Sequence, residues 1–326
     1  MNQYGEYSFL AMVTAAVVYL FAMVAHAAEW AAARNAVQTV TKVRRRVLVG
    51  AGGGVDVAVA DTEVSDDVSD AGESAGDRLR TDKFGRIGIA LTLVAFVSHV
   101  VAVVLRGVAA QRAPWGNMYE FISTAMVVVV AAYLVLALKF SMRWLGLLVT
   151  LLATIGLGLA VTVFYVDVAP LVPALHSTWF LFHISAAAIA GAAFNVGGFA
   201  SILYLIKTRA ERKGTVTGYL AKMPSAEKID VIAYRANAFA FPLWTLVIAA
   251  GAIWAQYSWG RYWGWDPKET WSLVTWAIYA AYLHARSTSG WKGRNAAIIG
   301  IIGMVSFWWN FVGVNLVVQG LHSYAK

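Results

Sequence analysis

Charged residues divide this chain into a series of apolar runs. Stretches without Asp, Glu, Lys or Arg cover 7–28, 87–105, 121–138, 144–166, 177–206, 236–260 and 295–321. A transmembrane helix needs about 17–25 predominantly apolar residues, so each run predicts one span. A shorter run, 270–285, becomes an eighth span if its helix begins at Pro267. The pattern predicts an all-α polytopic membrane protein of eight transmembrane helices. An even number of crossings puts both termini on one side.

Composition supports that reading: 60% of the 326 residues are hydrophobic, 13% are charged and the mean hydropathy is +0.62. A net charge of +8 suggests nucleic acid in a soluble protein, but here it reports orientation, and no nucleic-acid partner is expected. With the termini outside, only Arg106, Arg112, Arg261, Lys268 and Lys326 of the 26 Lys and Arg lie outside, so the positive-inside rule predicts extracytoplasmic termini. The first run ends in Ala25-His26-Ala27, which imitates a signal-peptide cleavage site. Its flank carries Glu6 and no Lys or Arg, so an uncleaved helix is expected. The chain then divides into a first helix (1–28), a cytoplasmic loop (29–86) and a membrane domain (87–326). Within the loop, about 50–82 is rich in Gly, Ala, Val, Ser and acids, and reads as a disordered insertion. Cysteine is absent, which excludes thiolate metal sites and nucleophilic cysteine in this chain. Thiol chemistry must come from a partner.

Half of the 14 Trp lie between Trp244 and Trp276. Indoles gather at membrane interfaces, but an aromatic belt does not explain the spacing of 254–276. Gly260 and Gly264 allow close backbone approach, while Trp259, Trp263 and Trp265 offer flat apolar faces suited to a large planar ligand. Asp266, Pro267 and Glu269 also spell a helix start, with a cap, a first-position proline and a capping-box partner.

The string Trp259-Gly260-Arg261-Tyr262-Trp263-Gly264-Trp265-Asp266-Pro267-Lys268-Glu269-Thr270-Trp271 resembles the WWD signature of the haem-handling proteins of cytochrome c maturation, and 272–286 resembles the CcsA (ResC) branch. Further motifs carry the likeness: Pro114-Trp115-Gly116-Asn117-Met118-Tyr119-Glu120, Leu175-His176-Ser177-Thr178-Trp179-Phe180-Leu181-Phe182-His183 and Gly320-Leu321-His322-Ser323-Tyr324. Two features depart from it: the acidic insertion, and Gln111-Arg112 where many relatives resemble Gly-His. Any role of that histidine is not carried over.

The resemblance implies a subunit of a cytochrome c haem lyase complex that moves haem b outward and presents it over the WWD segment for attachment to apocytochrome c. It implies His183 and His322 as outer axial ligands, Asp266 among the haem-binding residues of the WWD segment, and His284 as the membrane-embedded histidine that takes haem from inside. It also implies a ResB/CcsB-like membrane partner, the Cys-x-x-Cys-His segment of the apocytochrome, a thioredoxin-like thiol reductant and membrane lipid. Position agrees, since His183 lies about 9 Å along a helix capped by Ser177, and His284 about 27 Å beyond Asp266. Trp244 and Trp291 read as ordinary interfacial anchors, His176 as a hydrogen-bonding residue, and His26 and His99 as interior histidines. Two other functions stand beside synthase: a haem transporter without attachment activity, and a dihaem cytochrome b-like quinone oxidoreductase. The second is disfavoured because only six histidines are present, mostly one per span.

Overall fold

The structure is a computed structural model that describes residues 3–39 and 74–322. The part of the expected insertion at 50–73 lies outside the described residues. Residues 74–82 correct that expectation, because they open a helix. Ser74 caps α2 (Ala75–Ala110), its hydroxyl accepting from the Asp77 N–H at 3.1 Å. An Asp82–Arg86 ion pair at 2.8 Å, four residues apart, lies on the same exposed turns.

The remaining helices are α1 (Gln3–Ala32), α3 (Met118–Lys139), α4 (Gly146–Thr162), α5 (Thr178–Arg212), α6 (Ala226–Trp259), α7 (Pro267–Ser287), α8 (Arg294–Trp308) and α9 (Val314–Val317), the last two joined by a π-helical turn, Trp309–Gly313. Among the described residues there are seven membrane-length apolar segments, formed by α1 to α6 and by α8 with its extension through α9. This is a multi-pass helical membrane protein. The helix α7 is 21 residues long, but Lys268, Glu269, His284 and Arg286 make it more polar than those seven.

Side-chain size explains the packing. Small residues on facing stripes let α1 and α2 run together along their length, as α5 and α6 do. One lobe gathers α1–α4 around Met12, Tyr19, Met126, Tyr133 and Leu145; the other gathers α5–α8 around Phe194, Trp244, Tyr279 and Phe307. They meet where α3 lies against α5. Short β1 (Val37–Thr39) and β2 (Thr215–Thr217) pair antiparallel and tie the chain after α1 to the chain after α5. At the opposite end, the C-termini of α2, α4 and α6 meet the N-termini of α3, α5 and α7. All the outer-site residues expected from sequence belong to that end.

Candidate functional site

Between α3, α5, α6 and α8 lies a cleft open to solvent, lined by apolar and aromatic side chains and reached by His183, Trp259, Trp263, Lys268 and His322. A mostly apolar wall with a few convergent polar groups is the usual make-up of a ligand site.

The Ser177 side chain caps α5 by accepting from the Trp179 N–H. This sets the register that carries His183 to the cleft wall. Its Nδ1 lies 2.8 Å from the Val247 carbonyl, an arrangement in which Nδ1–H donates and Nε2 keeps its lone pair. Gly251 makes the approach possible, because a Cβ there would come 2.8 Å from His183 Nδ1. His322 reaches the same cleft from the turn after α9. Its Nδ1 lies 2.9 Å from Asp266 Oδ1, the carboxylate–histidine arrangement that orients metal-binding imidazoles. Both histidines pack on Trp254, with ring centroids 5.8 and 5.7 Å away. Trp254 is itself buried and donates its indole N–H to the Ala174 carbonyl at 2.7 Å.

Asp266 therefore has two jobs. Its side chain caps α7 through the Lys268 N–H, within a capping box completed by Glu269, and it also accepts from the Leu321 N–H at 2.6 Å and holds His322. Burial pushes its carboxyl up, but His322 and the Leu321 and Lys268 N–H groups outweigh this and hold it below its ordinary value. Burial likewise lowers the His322 imidazole and prevails over the opposing pull of Asp266, which favours the neutral, ligating form.

The expected site residues separate into groups. His183, His322, Trp259 and Trp263 line the cleft, and the Trp259 ring lies 5.0 Å from that of His322. Trp265 stands outside it: its side chain is 68% exposed and meets Trp263 edge-on. The glycines shape the loop. Gly260 ends α6 with φ of 73°, and a Cβ on Gly264 would strike the Arg261 guanidinium. His284 lies exposed near the far end of α7 and does not line the cleft. Trp244 corrects its reading as an interfacial anchor: it is buried deep in the cleft wall and donates to the Ser272 carbonyl at 3.1 Å. Trp291 is half exposed.

Sequence reasoning missed Trp254, whose apolar surroundings make it look like any membrane tryptophan. It also missed the π-helical turn that brings buried Asn310 into the cleft wall, where Asn310 Nδ2 donates to Ser272 Oγ at 3.0 Å. A third omission is the role of Glu120, a buried carboxylate that accepts from Arg106, Arg112 and the Gly116 N–H. Arg106 in turn donates to the carbonyls of Val166 and Asp167. Glu120 thereby ties together the loops beside the cleft.

These features define a class: a multi-pass helical membrane protein with two oriented imidazoles over a tryptophan-lined cleft at one end of its bundle. The family profile described as "Cytochrome C assembly protein" matches residues 115–322, and the chain belongs to that family. Among its relatives, the cytochrome c biogenesis protein CcsA of Microcystis aeruginosa is 36% identical, aligned over 73% of this chain and 87% of its own length. CcsA of Guillardia theta is 33% identical over 73% of this chain and 85% of its own length. Of solved structures, the cytochrome c haem lyase CcmF shares the fold with a TM-score of 0.60 at 13% identity. The match covers 94% of this chain but only 47% of that longer one. Membership gives the chain a role in cytochrome c maturation and ties it to haem handling.

Proposed function

We propose that the chain is the haem-channelling and haem-presenting subunit of a cytochrome c synthase. The observation that carries this is the pairing of His183 and His322: each has Nδ1 engaged by an acceptor, and both pack on Trp254 in one aromatic cleft. Neutral imidazoles in the tautomer that offers Nε2 are what an iron porphyrin requires as axial ligands. Haem b is the cargo, supplying two vinyl groups. The residues of this chain hold, orient and shield it.

Thioether formation is an addition. Each thiol of a Cys-x-x-Cys-His segment adds across one vinyl double bond, forming the S–C bond while its proton goes to the neighbouring carbon. No leaving group or external oxidant is needed, so the protein's contribution is proximity and exclusion of water. His183 and His322 fix the height of the ring, Trp259 and Trp263 wall its faces, and Asp266 holds His322. The thiols must arrive reduced, which calls for a thioredoxin-like reductant, since this chain has no cysteine.

In this reading α7 is the eighth span, the termini and the cleft are extracytoplasmic, and His284 receives haem near the inner leaflet with a ligand from a ResB/CcsB-like partner. The exposed position of His284, most of a 21-residue helix away from Asp266, supports a shared entry site on the bundle surface. Co-purification with a ResB-like protein, haem spectroscopy and an apocytochrome maturation assay test the proposal. Bound haem together with covalent cytochrome supports it. Haem without covalent product in the complete complex reduces the chain to a transporter. The His284→Ala variant should deplete haem at the outer site, and added imidazole should refill it; undiminished outer haem without imidazole removes His284 from the route.

A further inference from the structure

Among the described residues, the cleft wall holds one charged side chain that has no ion pair. Its lining includes two charged side chains besides the histidines, Lys268 and Glu269. Glu269 is committed: Oε1 pairs with Arg261 at 3.4 Å, and Oε2 accepts from the Gly264 and Asp266 N–H groups at 2.8 and 3.1 Å. The other nearby carboxylate, Asp266, is engaged by His322 and the Lys268 and Leu321 N–H groups. Lys268, on the first turn of α7, makes no ion pair with any described residue. Its ammonium has a long 3.4 Å contact to the Phe311 carbonyl and lies 6.0 Å from the centre of the Phe311 ring. An ammonium in an aromatic cleft whose neighbouring carboxylates are engaged elsewhere is unfavourable unless another anion accompanies it.

We infer that Lys268 is the counter-ion for a carboxylate of the cleft's ligand and so sets the rotation of the macrocycle in its plane. This rests on the haem reading above and deepens it. Two axial imidazoles fix the iron and the ring height, but they leave the ring free to turn about the iron-histidine axis. Haem b carries its two propionates on one edge and its vinyls toward the other. An ion pair between a propionate and Lys268 places the acidic edge against the first turn of α7 and sends the vinyl edge away from it. Lys268 is thus a positioning residue: it aims the reacting groups without touching them.

The test compares hemin with hemin dimethyl ester, which keeps the ring, iron and vinyls but lacks both carboxylates. Each is titrated into the full chain, purified without haem in detergent, and binding is followed by the Soret band. Wild type should prefer hemin at least about tenfold, the low end for a hydrogen bond between charged groups. Lys268→Met should bring the ratio to about one while leaving ester affinity nearly unchanged, which also shows that the cleft is intact. Lys268→Arg should restore the preference. A wild-type ratio near one, or a Met variant that keeps the wild-type ratio, overturns the assignment. If the Met variant binds neither compound, the wild-type ratio decides alone. If wild type binds neither, the reading of the cleft as a haem site falls, and Lys268 falls with it.

Discussion

The two lobes both hold histidines, and they hold them differently. In the α1–α4 lobe His26 is fully buried between glycine notches: a Cβ on Gly88 would come 2.7 Å from its ring, and one on Gly146 2.5 Å. Its Nδ1 lies 3.1 Å from Glu29, which also accepts from Arg143 and Tyr219. His99, also buried, lies against Tyr19. In the α5–α8 lobe, His183 and His322 are tied at Nδ1 just as firmly but stand half buried on a cleft. The difference teaches that an oriented imidazole becomes a ligand candidate only where its ring lines a cleft. His26 has its neighbours packed around it, whereas His183 and His322 line the cleft wall.

The strongest way to break this comparison is to delete imidazoles from each lobe. His183→Ala or His322→Ala should abolish or severely lower haem retention, with added imidazole restoring part of it, because a lost axial ligand removes an iron bond. His99→Leu should leave the haem spectrum unchanged. The reverse pattern in optical spectra of the purified variants would exchange the roles of the two lobes.

Asp266→Asn sharpens the contrast without removing a ligand. Asn is as good an N-cap as Asp, so α7 should start as before. What changes is the acceptor that orients His322, and losing such a partner typically costs about 10–100-fold in metal affinity. Haem titration should show that loss with little change in thermal unfolding. A collapse in stability without a selective loss of haem would make Asp266 a cap alone.

Gly88→Ala probes the other lobe. The added methyl meets the His26 ring, and overpacking of this kind costs about 1–3 kcal/mol. Thermal unfolding in detergent should fall while haem affinity per folded molecule stays at the wild-type value. Unchanged stability would show that His26 has room to move after all.

The same contrast explains which features could be read from sequence. Seven apolar runs became membrane-length helices because a span is a local property, set by about twenty residues of composition. Helix α2 begins before the apolar run at 87–105 because Ser74 and the charged turns after it form helix without being apolar. The capping box of α7 was legible for the same local reason. The bond from Asp266 to His322, 56 residues away, was not, nor was the stacking of His183 on Trp254, because periodicity carries no record of which distant side chains meet. Lys268 was missed as a site residue because a lysine at the start of a span reads as a topology signal until its missing partner is visible.

The smallest effects should come from the tryptophans, and there sequence and geometry disagree in a way that can be measured. Sequence spacing groups Trp259, Trp263 and Trp265 on one face, but Trp265 is 68% exposed and, among the described rings, meets only the edge of Trp263, with a centroid separation of 5.8 Å. Trp259 and Trp263 line the cleft instead, with buried Trp254 in the same wall beside Trp259. Stacking on an aromatic face contributes about 0.5–1.5 kcal/mol beyond the area it buries, so single losses are modest. Trp259→Ala and Trp263→Ala should each weaken haem binding by roughly three- to tenfold on that scale, and the pair together by more. Trp265→Ala should leave affinity in isolated protein almost unchanged. It should lower the rate of cytochrome maturation only if the exposed ring receives the apocytochrome. Equal weakening of haem binding at all three positions would put Trp265 against the macrocycle after all. The loop would then have to close over its cargo, turning the Trp265 backbone away from its present φ of 59°.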